Sequence, residues 1–135
     1  MALLTWSHAS SIGNKTMDVQ HGILVDTMNE LRQALLTDCT EEQIEGLTDR
    51  LVEFARIHFA SEEALLERHG FPGLTQHRAE HARLIEDMQI AMQRAHQSAW
   101  HEMRPLLSFL RAALLEHIEQ ADHVYGEWLN VRGIS

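Results

Sequence analysis

The sequence predicts an all-α protein: an antiparallel up-down-up-down four-helix bundle with an extended N-terminal arm at residues 1–16. Two observations favour this fold. Apolar residues recur at spacings of three and four along four segments of the chain, which is typical of helices that pack side by side. Only 2 prolines and 7 glycines interrupt the 135 residues, as long helices joined by short loops require. The length suits one domain over residues 1–135.

The first two helices are expected at about residues 17–37 and 41–69. A capping box at Thr40 and Gln43 marks the start of the second helix. Gly70 and Pro72 end it, because glycine accepts a left-handed conformation and proline bars a further helical turn. The expected inward-facing residues are Met17, His21, Leu24, Met28, Leu31 and Leu35 in the first helix, and Ile44, Leu47, Leu51, Phe54, His58, Glu62 and Leu65 in the second.

The other two helices are expected at about residues 74–96 and 101–131. Pro105 is tolerated in a first helical turn, so the last helix should begin somewhere between residues 98 and 105. In the arm, Trp6 is the expected anchor against the bundle. The expected inward-facing residues are His77, His81, Leu84 and Met88 in the third helix, and Leu106, Leu110, Leu114, His117, Ala121, Val124 and Trp128 in the fourth.

Charge and composition exclude several classes of function. The formal net charge of −9 disfavours binding to nucleic acid and to anionic membrane surfaces. No apolar run approaches the roughly 18 residues of a membrane span, and the first residues lack a signal peptide, so we expect a cytoplasmic location. Cys39 is the single cysteine, which rules out an internal disulfide and a cysteine-rich metal site.

The expected seams carry polar residues that need an explanation. These are His21, His58, Glu62, His77, His81 and His117. Burying each of these groups without a partner costs roughly several kcal/mol. Their presence together in one core therefore needs a common explanation, and a bound metal provides one. His58 and Glu62 in the second helix are four residues apart, and so are His77 and His81 in the third. The two members of each pair therefore project from one face of their helix.

The number of donors indicates two metal ions. Five imidazoles and a carboxylate exceed what one tetrahedral zinc ion takes. Iron suits this donor set, although manganese, zinc and copper also remain open from ligand type alone. Asp122 is a further candidate, but it follows His117 by five residues, roughly 140° around an α-helix. Ala121 has the ideal seam position and cannot bind metal, so Asp122 is the nearest acidic residue that could lean inward.

Four motifs in this order resemble the hemerythrins, especially the bacterial ones. The motifs are Met17-Asp18-Val19-Gln20-His21, His58-Phe59-Ala60-Ser61-Glu62-Glu63, His77-Arg78-Ala79-Glu80-His81 and His117-Ile118-Glu119-Gln120-Ala121-Asp122. The resemblance covers nearly the whole chain, including Trp6. It departs at Gly22, where the family often has lysine, and at Gly13-Asn14-Lys15-Thr16. These departures concern the packing of the arm and access to the site.

The resemblance implies a di-iron site that binds O2 reversibly, without catalysis. His77, His81 and His117 would hold one iron, and His21 and His58 the other. Glu62 and Asp122 would bridge both irons together with an oxo or hydroxo group. Oxygen would take the open position on the two-histidine iron. Leu24, Val25, Phe54 and Ile118 are candidates to line the oxygen pocket.

Other functions remain open. The domain could sense oxygen, nitric oxide or redox state and signal to a partner, or to a fused output domain if the chain is a fragment. A ferritin-like oxidase or iron store is disfavoured, because no Glu is followed three residues later by His. A zinc hydrolase would explain His77 and His81 through an H-x-x-E-H pattern, but not His21, His58 and Glu62. The oligomeric state stays open, and a monomer is compatible with the sequence.

Glu63 and Glu80 are acidic neighbours of these candidates. Their positions beside Glu62 and His81 point them to other helix faces, so we expect them to be solvated. The alternative is that they form hydrogen bonds to the metal-binding side chains.

Overall fold

The computed structural model describes residues 11–37, 40–97 and 103–135, with the side chains of 103–107 left aside. Its helices are α1 (Lys15–Leu35), α2 (Glu41–His69), α3 (Leu74–Gln97), α4 (Met103–His117), a π-helical turn (Ile118–Asp122) and α5 (His123–Val131). Trp6, predicted to anchor the arm, and the side chain of Leu106, predicted to face inward, lie outside the described residues. No described helix combines the length and hydropathy needed to cross a bilayer.

The helices form the predicted four-helix bundle. Contacts join α1 to α2, α2 to α3, α3 to α4, and α4 back to α1, so each helix has two neighbours. The π-helical turn and α5 continue α4 without a break, and together the three form the fourth helix of the bundle. The all-α bundle predicted from apolar spacing is therefore confirmed.

Local side-chain contacts set the helix ends. The Asn14 side chain accepts a hydrogen bond from Met17 N at 3.1 Å, so α1 starts two residues earlier than expected. Thr40 and Gln43 form the predicted capping box, with bonds of 3.2 and 3.0 Å. Gly70, at a φ of 70°, closes α2 in the left-handed conformation.

The apolar core is divided into two clusters. The larger contains Leu24, Leu51, Phe59, Met88, Leu110 and Leu114 among others. The smaller contains Ile12, Met17, Leu66, Tyr125 and Leu129. His21 falls between Met17 and Leu24 on α1, and Glu62 between Phe59 and Leu66 on α2. The polar candidates therefore form a layer between the two clusters.

The π-helical turn corrects the seam expected in the fourth helix. Val124 is 61% exposed, so its predicted inward position is wrong. Ala121 and Trp128 are half-buried, and Trp128 packs against the smaller cluster. The buried residues are instead Asp122, Tyr125 and Leu129, each one position later. A π-helical turn takes up one residue more than an α-helical turn, which moves the inward face forward by one residue.

The seam of α2 needs a smaller correction. Phe54 and Leu65 are half-buried, whereas Ala55, Phe59 and Leu66 are buried. The inward stripe of α2 is therefore wider than the predicted row of single positions, as expected for a helix that contacts both α1 and α3.

The described part of the arm lies across the fourth helix and is tied to α1. Ser11 Oγ and Ile12 N donate hydrogen bonds to the Asp18 carboxylate at 2.5 and 2.9 Å. The Ile12 backbone then passes so close to Gly126 that a Cβ at residue 126 would collide with the Ile12 carbonyl oxygen. Gly126 is thus required by close approach of the arm.

We expect Gly126→Ala to destabilise the protein by about 1–3 kcal/mol, because the added methyl group must push the arm off the bundle. The matched control is Gly46→Ala, which lies on the exposed face of α2 with open space around it. This substitution should stabilise by up to about 1 kcal/mol, because alanine is the better helix former. Urea unfolding of both variants measures the difference, and equal effects would contradict the close approach.

Candidate metal centre

The seven candidate side chains meet in the polar layer of the bundle. His21 comes from α1, His58 and Glu62 from α2, His77 and His81 from α3, His117 from the end of α4, and Asp122 from the π-helical turn. His21, His58, Glu62 and Asp122 are 0% exposed, and the other three are at most 8% exposed. All seven are therefore brought together in the interior, and only His77, His81 and His117 keep a small exposed fraction.

Their donor atoms form two groups that share the carboxylates. Glu62, His77, His81, His117 and Asp122 place one donor atom each within 4.8 Å of one another, and so do His21, His58, Glu62 and Asp122. Each carboxylate has one oxygen for each group. The arrangement has room for two positive centres joined by two carboxylates.

Asp122 spans the two groups. Its Oδ1 lies 3.1 Å from both His77 Nε2 and His117 Nε2. Its Oδ2 lies 3.0 Å from His21 Nε2. The π-helical turn produces this geometry, since it places residue 122 on the same face as His117 although the two are five residues apart.

Glu62 divides its oxygens in the same way. Its Oε1 lies 2.5 Å from His77 Nε2 and 2.9 Å from His81 Nε2. Its Oε2 lies 3.0 Å from His58 Nε2 and 3.5 Å from His21 Nε2. The α-helical i, i+4 spacing of His58 and Glu62 brings both donors to one point of the interior.

The electrostatics of the cluster favour bound positive charge. Burial alone would lower the pKa of His21, but its contacts with Asp122 and Glu62 raise that pKa to about 9. The pKa of His77 is raised to about 9 in the same way. Burial acts to raise the pKa of Glu62 and Asp122, yet the surrounding imidazoles lower both. Two buried carboxylates thus stay ionised and need cations beside them.

The donor atoms fit a metal better than they fit each other. His58 Nε2, Glu62 Oε2 and both Asp122 carboxylate oxygens are buried, and none makes a hydrogen bond of acceptable geometry. Leaving such atoms unsatisfied is costly. Within the cluster, hydrogen bonds join His77 Nε2 to Glu62 Oε1 and His81 Nε2 to His117 Nε2, but the other donor atoms approach one another without such bonds. This is the arrangement expected around metal ions, and imidazole with carboxylate suits iron.

Polar side chains contact the outer nitrogens of three of these histidines. His58 Nδ1 lies 2.6 Å from Gln20 Oε1, and His81 Nδ1 lies 2.9 Å from Glu63 Oε2. His117 Nδ1 lies 3.5 Å from Glu80 Oε2. Glu63 and Glu80 were expected to be solvated, but the alternative of contact with the histidines describes them better. Gln20 was missed, because its partner lies on another helix and no spacing within α1 reveals it.

Two aromatic residues beside the cluster were also missed by the apolar spacing. Phe59 stacks on His81, with ring centres 4.0 Å apart and planes 7° from parallel. Tyr125 meets His77 edge-on at 5.3 Å, and burial raises the pKa of its phenol. Of the predicted pocket residues, Leu24, Val25 and Ile118 are buried, whereas Phe54 is half-buried.

Comparison with known proteins identifies the family. The chain matches the model described as the hemerythrin HHE cation binding domain over residues 12–129. The chain belongs to the hemerythrin family. The matched range includes all seven donor residues, so the predicted resemblance is confirmed and the cluster lies within a cation-binding domain.

Relatives of this hemerythrin chain align over nearly its whole length. The bacteriohemerythrin of Methylococcus capsulatus is 29% identical over 132 residues, which are 96% of this chain and 99% of that protein. The bacteriohemerythrin of Stenotrophomonas maltophilia is 30% identical over 128 residues, with 94% and 82% covered. A crystal structure of wild-type hemerythrin superposes with a TM-score of 0.82 at 28% identity, over 93% of this chain and 97% of that one.

Moving a carboxylate by one residue tests the register set by the π-helical turn. We expect Asp122→Ala to lower the number of cobalt or zinc ions bound per folded chain, because both donor groups lose a shared ligand. Adding Ala121→Asp to that variant should not restore binding, because residue 121 is turned away from the donor layer. Metal content and helix content measure the outcome. Full recovery in the double variant would instead support an uninterrupted α-helix.

Proposed function

We propose that this chain binds molecular oxygen reversibly at a di-iron centre and acts as a carrier or store rather than as an enzyme. His77, His81 and His117 would hold one iron, and His21 and His58 would hold the other. Glu62 and Asp122 would offer one carboxylate oxygen to each iron. The observation that carries the proposal is the pair of donor groups that share both carboxylates.

The unequal number of histidines provides the open position. Three histidines would complete the ligands of one iron, whereas two histidines would leave a vacant position on the other. When bound, two ferrous ions would supply the electrons needed to hold oxygen reversibly. The contribution of the protein is to keep one position free and to fix the surrounding ligands in place.

The surroundings of the two sides differ in a way that suits this division. His21 and His58 are 0% exposed, and the buried residues Leu24 and Val25 follow His21 on α1. On the other side, a groove of about 670 Å³ between α3 and the fourth helix is lined by His77 and His117 among others. Oxygen is small and apolar, so buried apolar neighbours such as Leu24 and Val25 suit it better than they suit water.

Reversibility is tested by an anaerobic sample in which the bound iron has been reduced. We expect a nearly colourless protein that gains a visible absorption band in air and loses it under argon, over repeated cycles. A colour that develops once and persists under argon would indicate oxidase or redox-sensor chemistry instead. Failure to bind iron at all would instead favour a zinc hydrolase.

We expect His58→Ala to lose or disorder the iron on the two-histidine side, because one of its two imidazoles is removed. The control is His96→Ala, since the His96 side chain is 63% exposed and far from the donor groups in the sequence. Iron content and oxygen binding should fall only in the first variant. Two irons and full reversible oxygenation in His58→Ala would contradict the ligand assignment.

Metal binding should release protons in a pH-dependent way. The pKa of about 9 at His21 and His77 means that both side chains are imidazolium cations at neutral pH before metal binds. Metal must displace these protons, so binding should release about two more protons at about pH 7 than at about pH 10, and it should weaken in acid. Zinc titration in weak buffer with a pH indicator measures this. Equal release at both pH values would contradict the raised pKa values.

A further inference from the structure

The two sides of the donor cluster are backed by side chains of different charge. On the three-histidine side, His81 and His117 face the carboxylates of Glu63 and Glu80 through their outer nitrogens. On the two-histidine side, His58 faces the neutral amide of Gln20. The contrast between carboxylate and amide follows the same division as the donor groups.

We propose that Glu63 and Glu80 are positioning residues that make the three-histidine side the better site for ferric iron, while Gln20 leaves the oxygen-binding side easier to keep ferrous. This inference rests on the proposed di-iron function and deepens it. It assigns to three residues outside the metal ligands a role in setting the difference between the two irons.

The outer contacts fix the orientation of the imidazole rings. His81 Nε2 lies 2.9 Å from Glu62 Oε1, inside the donor layer, while its Nδ1 lies 2.9 Å from Glu63 Oε2 on the outer side. A carboxylate only accepts hydrogen bonds, so the ring must donate from Nδ1. The lone pair of Nε2 is then free for a metal. Phe59, stacked on the same ring, fixes its plane.

The His117 ring is oriented in a similar way, with one nitrogen toward the donor layer and the other toward a carboxylate. Its Nε2 lies 3.1 Å from Asp122 Oδ1, and its Nδ1 lies 3.5 Å from Glu80 Oε2. This outer contact is longer than the one at His81, and the Glu80 side chain is 41% exposed against 24% for Glu63. Glu63 should therefore have the larger effect of the two.

The charge of the side chain that faces the outer nitrogen affects how strongly the imidazole binds a metal. A carboxylate that accepts a hydrogen bond from a metal-bound imidazole makes the imidazole a stronger donor, which favours the more highly charged metal. A neutral amide holds the ring in the same orientation with less effect on its basicity. Gln20 is itself held, because its Nε2 donates to Ser61 Oγ at 3.2 Å.

Arg78 reduces the charge at Glu63 without removing it. Arg78 Nε lies 3.3 Å from Glu63 Oε1, but the arginine side chain is 45% exposed and also contacts Glu67. Exposed ion pairs of this kind are weak. Glu63 uses its other oxygen for His81, so the two contacts do not compete.

Exchange of charge at these positions tests the proposal. The variants are Glu63→Gln and Glu80→Gln, which remove a charge on one side, and Gln20→Glu, which adds one on the other. Glu86→Gln is the control, because it makes the same exchange at an exposed position of α3. Each variant is first checked for helix content and for two irons per chain. The midpoint potentials are then measured by spectroelectrochemistry under argon.

We expect Glu63→Gln and Glu80→Gln to raise the midpoint potential and Gln20→Glu to lower it, with Glu86→Gln unchanged. A tenfold shift between ferric and ferrous forms, about 59 mV for one electron, is the expected size for Glu63→Gln, with a smaller shift for Glu80→Gln. Opposite signs for the two kinds of exchange cannot come from a general loss of structure. Unchanged potentials in both Glu→Gln variants, or a shift of one sign in all three, would overturn the proposal.

Zinc affinity gives a second readout that does not depend on oxygen. Glu63→Gln should weaken zinc binding by about tenfold or more, because a neutral amide makes the His81 imidazole a weaker metal ligand than a carboxylate does. Unchanged zinc affinity in this variant would also overturn the positioning role. If the unsubstituted protein fails to bind oxygen reversibly but these zinc and potential shifts occur, the proposed function is wrong and the positioning role stands.

Discussion

Two buried carboxylates, Glu62 and Asp122, determine how the interior of this bundle is arranged. Both are 0% exposed, and neither can keep its charge in an apolar core without polar or positively charged partners. Five imidazoles from four different helices supply the partners. The four helices must therefore stay in one register relative to each other, because a slip of any helix would leave an ionised carboxylate facing hydrocarbon. The apolar clusters above and below this layer hold that register.

The π-helical turn is the main local departure that this arrangement requires. An uninterrupted α-helix after His117 would direct Ala121 into the donor layer and turn Asp122 toward its edge. The turn at Ile118–Asp122 brings His117 and Asp122 to one face and carries Tyr125 and Leu129 into the lower cluster. A π-helical turn is less favourable than an α-helical one, and such turns are frequent at functional sites. Here the ionic contacts of Asp122 offset that cost.

The cluster is asymmetric in three independent respects. One side has three histidines and the other two. The three-histidine side borders a solvent groove, whereas His21 and His58 are fully buried. The outer nitrogens of His81 and His117 face carboxylates, whereas that of His58 faces an amide. These differences make the two sides of the cluster chemically distinct, as the proposed division into a saturated iron and an open iron requires.

The sequence by itself determined the bundle and most of the donor set, because both depend on spacing within single helices. Apolar residues three and four apart define the helices, and His58 with Glu62, or His77 with His81, share a face wherever the helix lies. The tertiary structure decided what depends on contacts between helices or on a change of helical pitch. The inward turn of Asp122 requires the π-helical turn, and only packing of α1 against α2 brings Gln20 to His58. Periodicity assumes a uniform helix, so it cannot detect an extra residue in one turn whose cost is offset by His21 and His77 on two other helices.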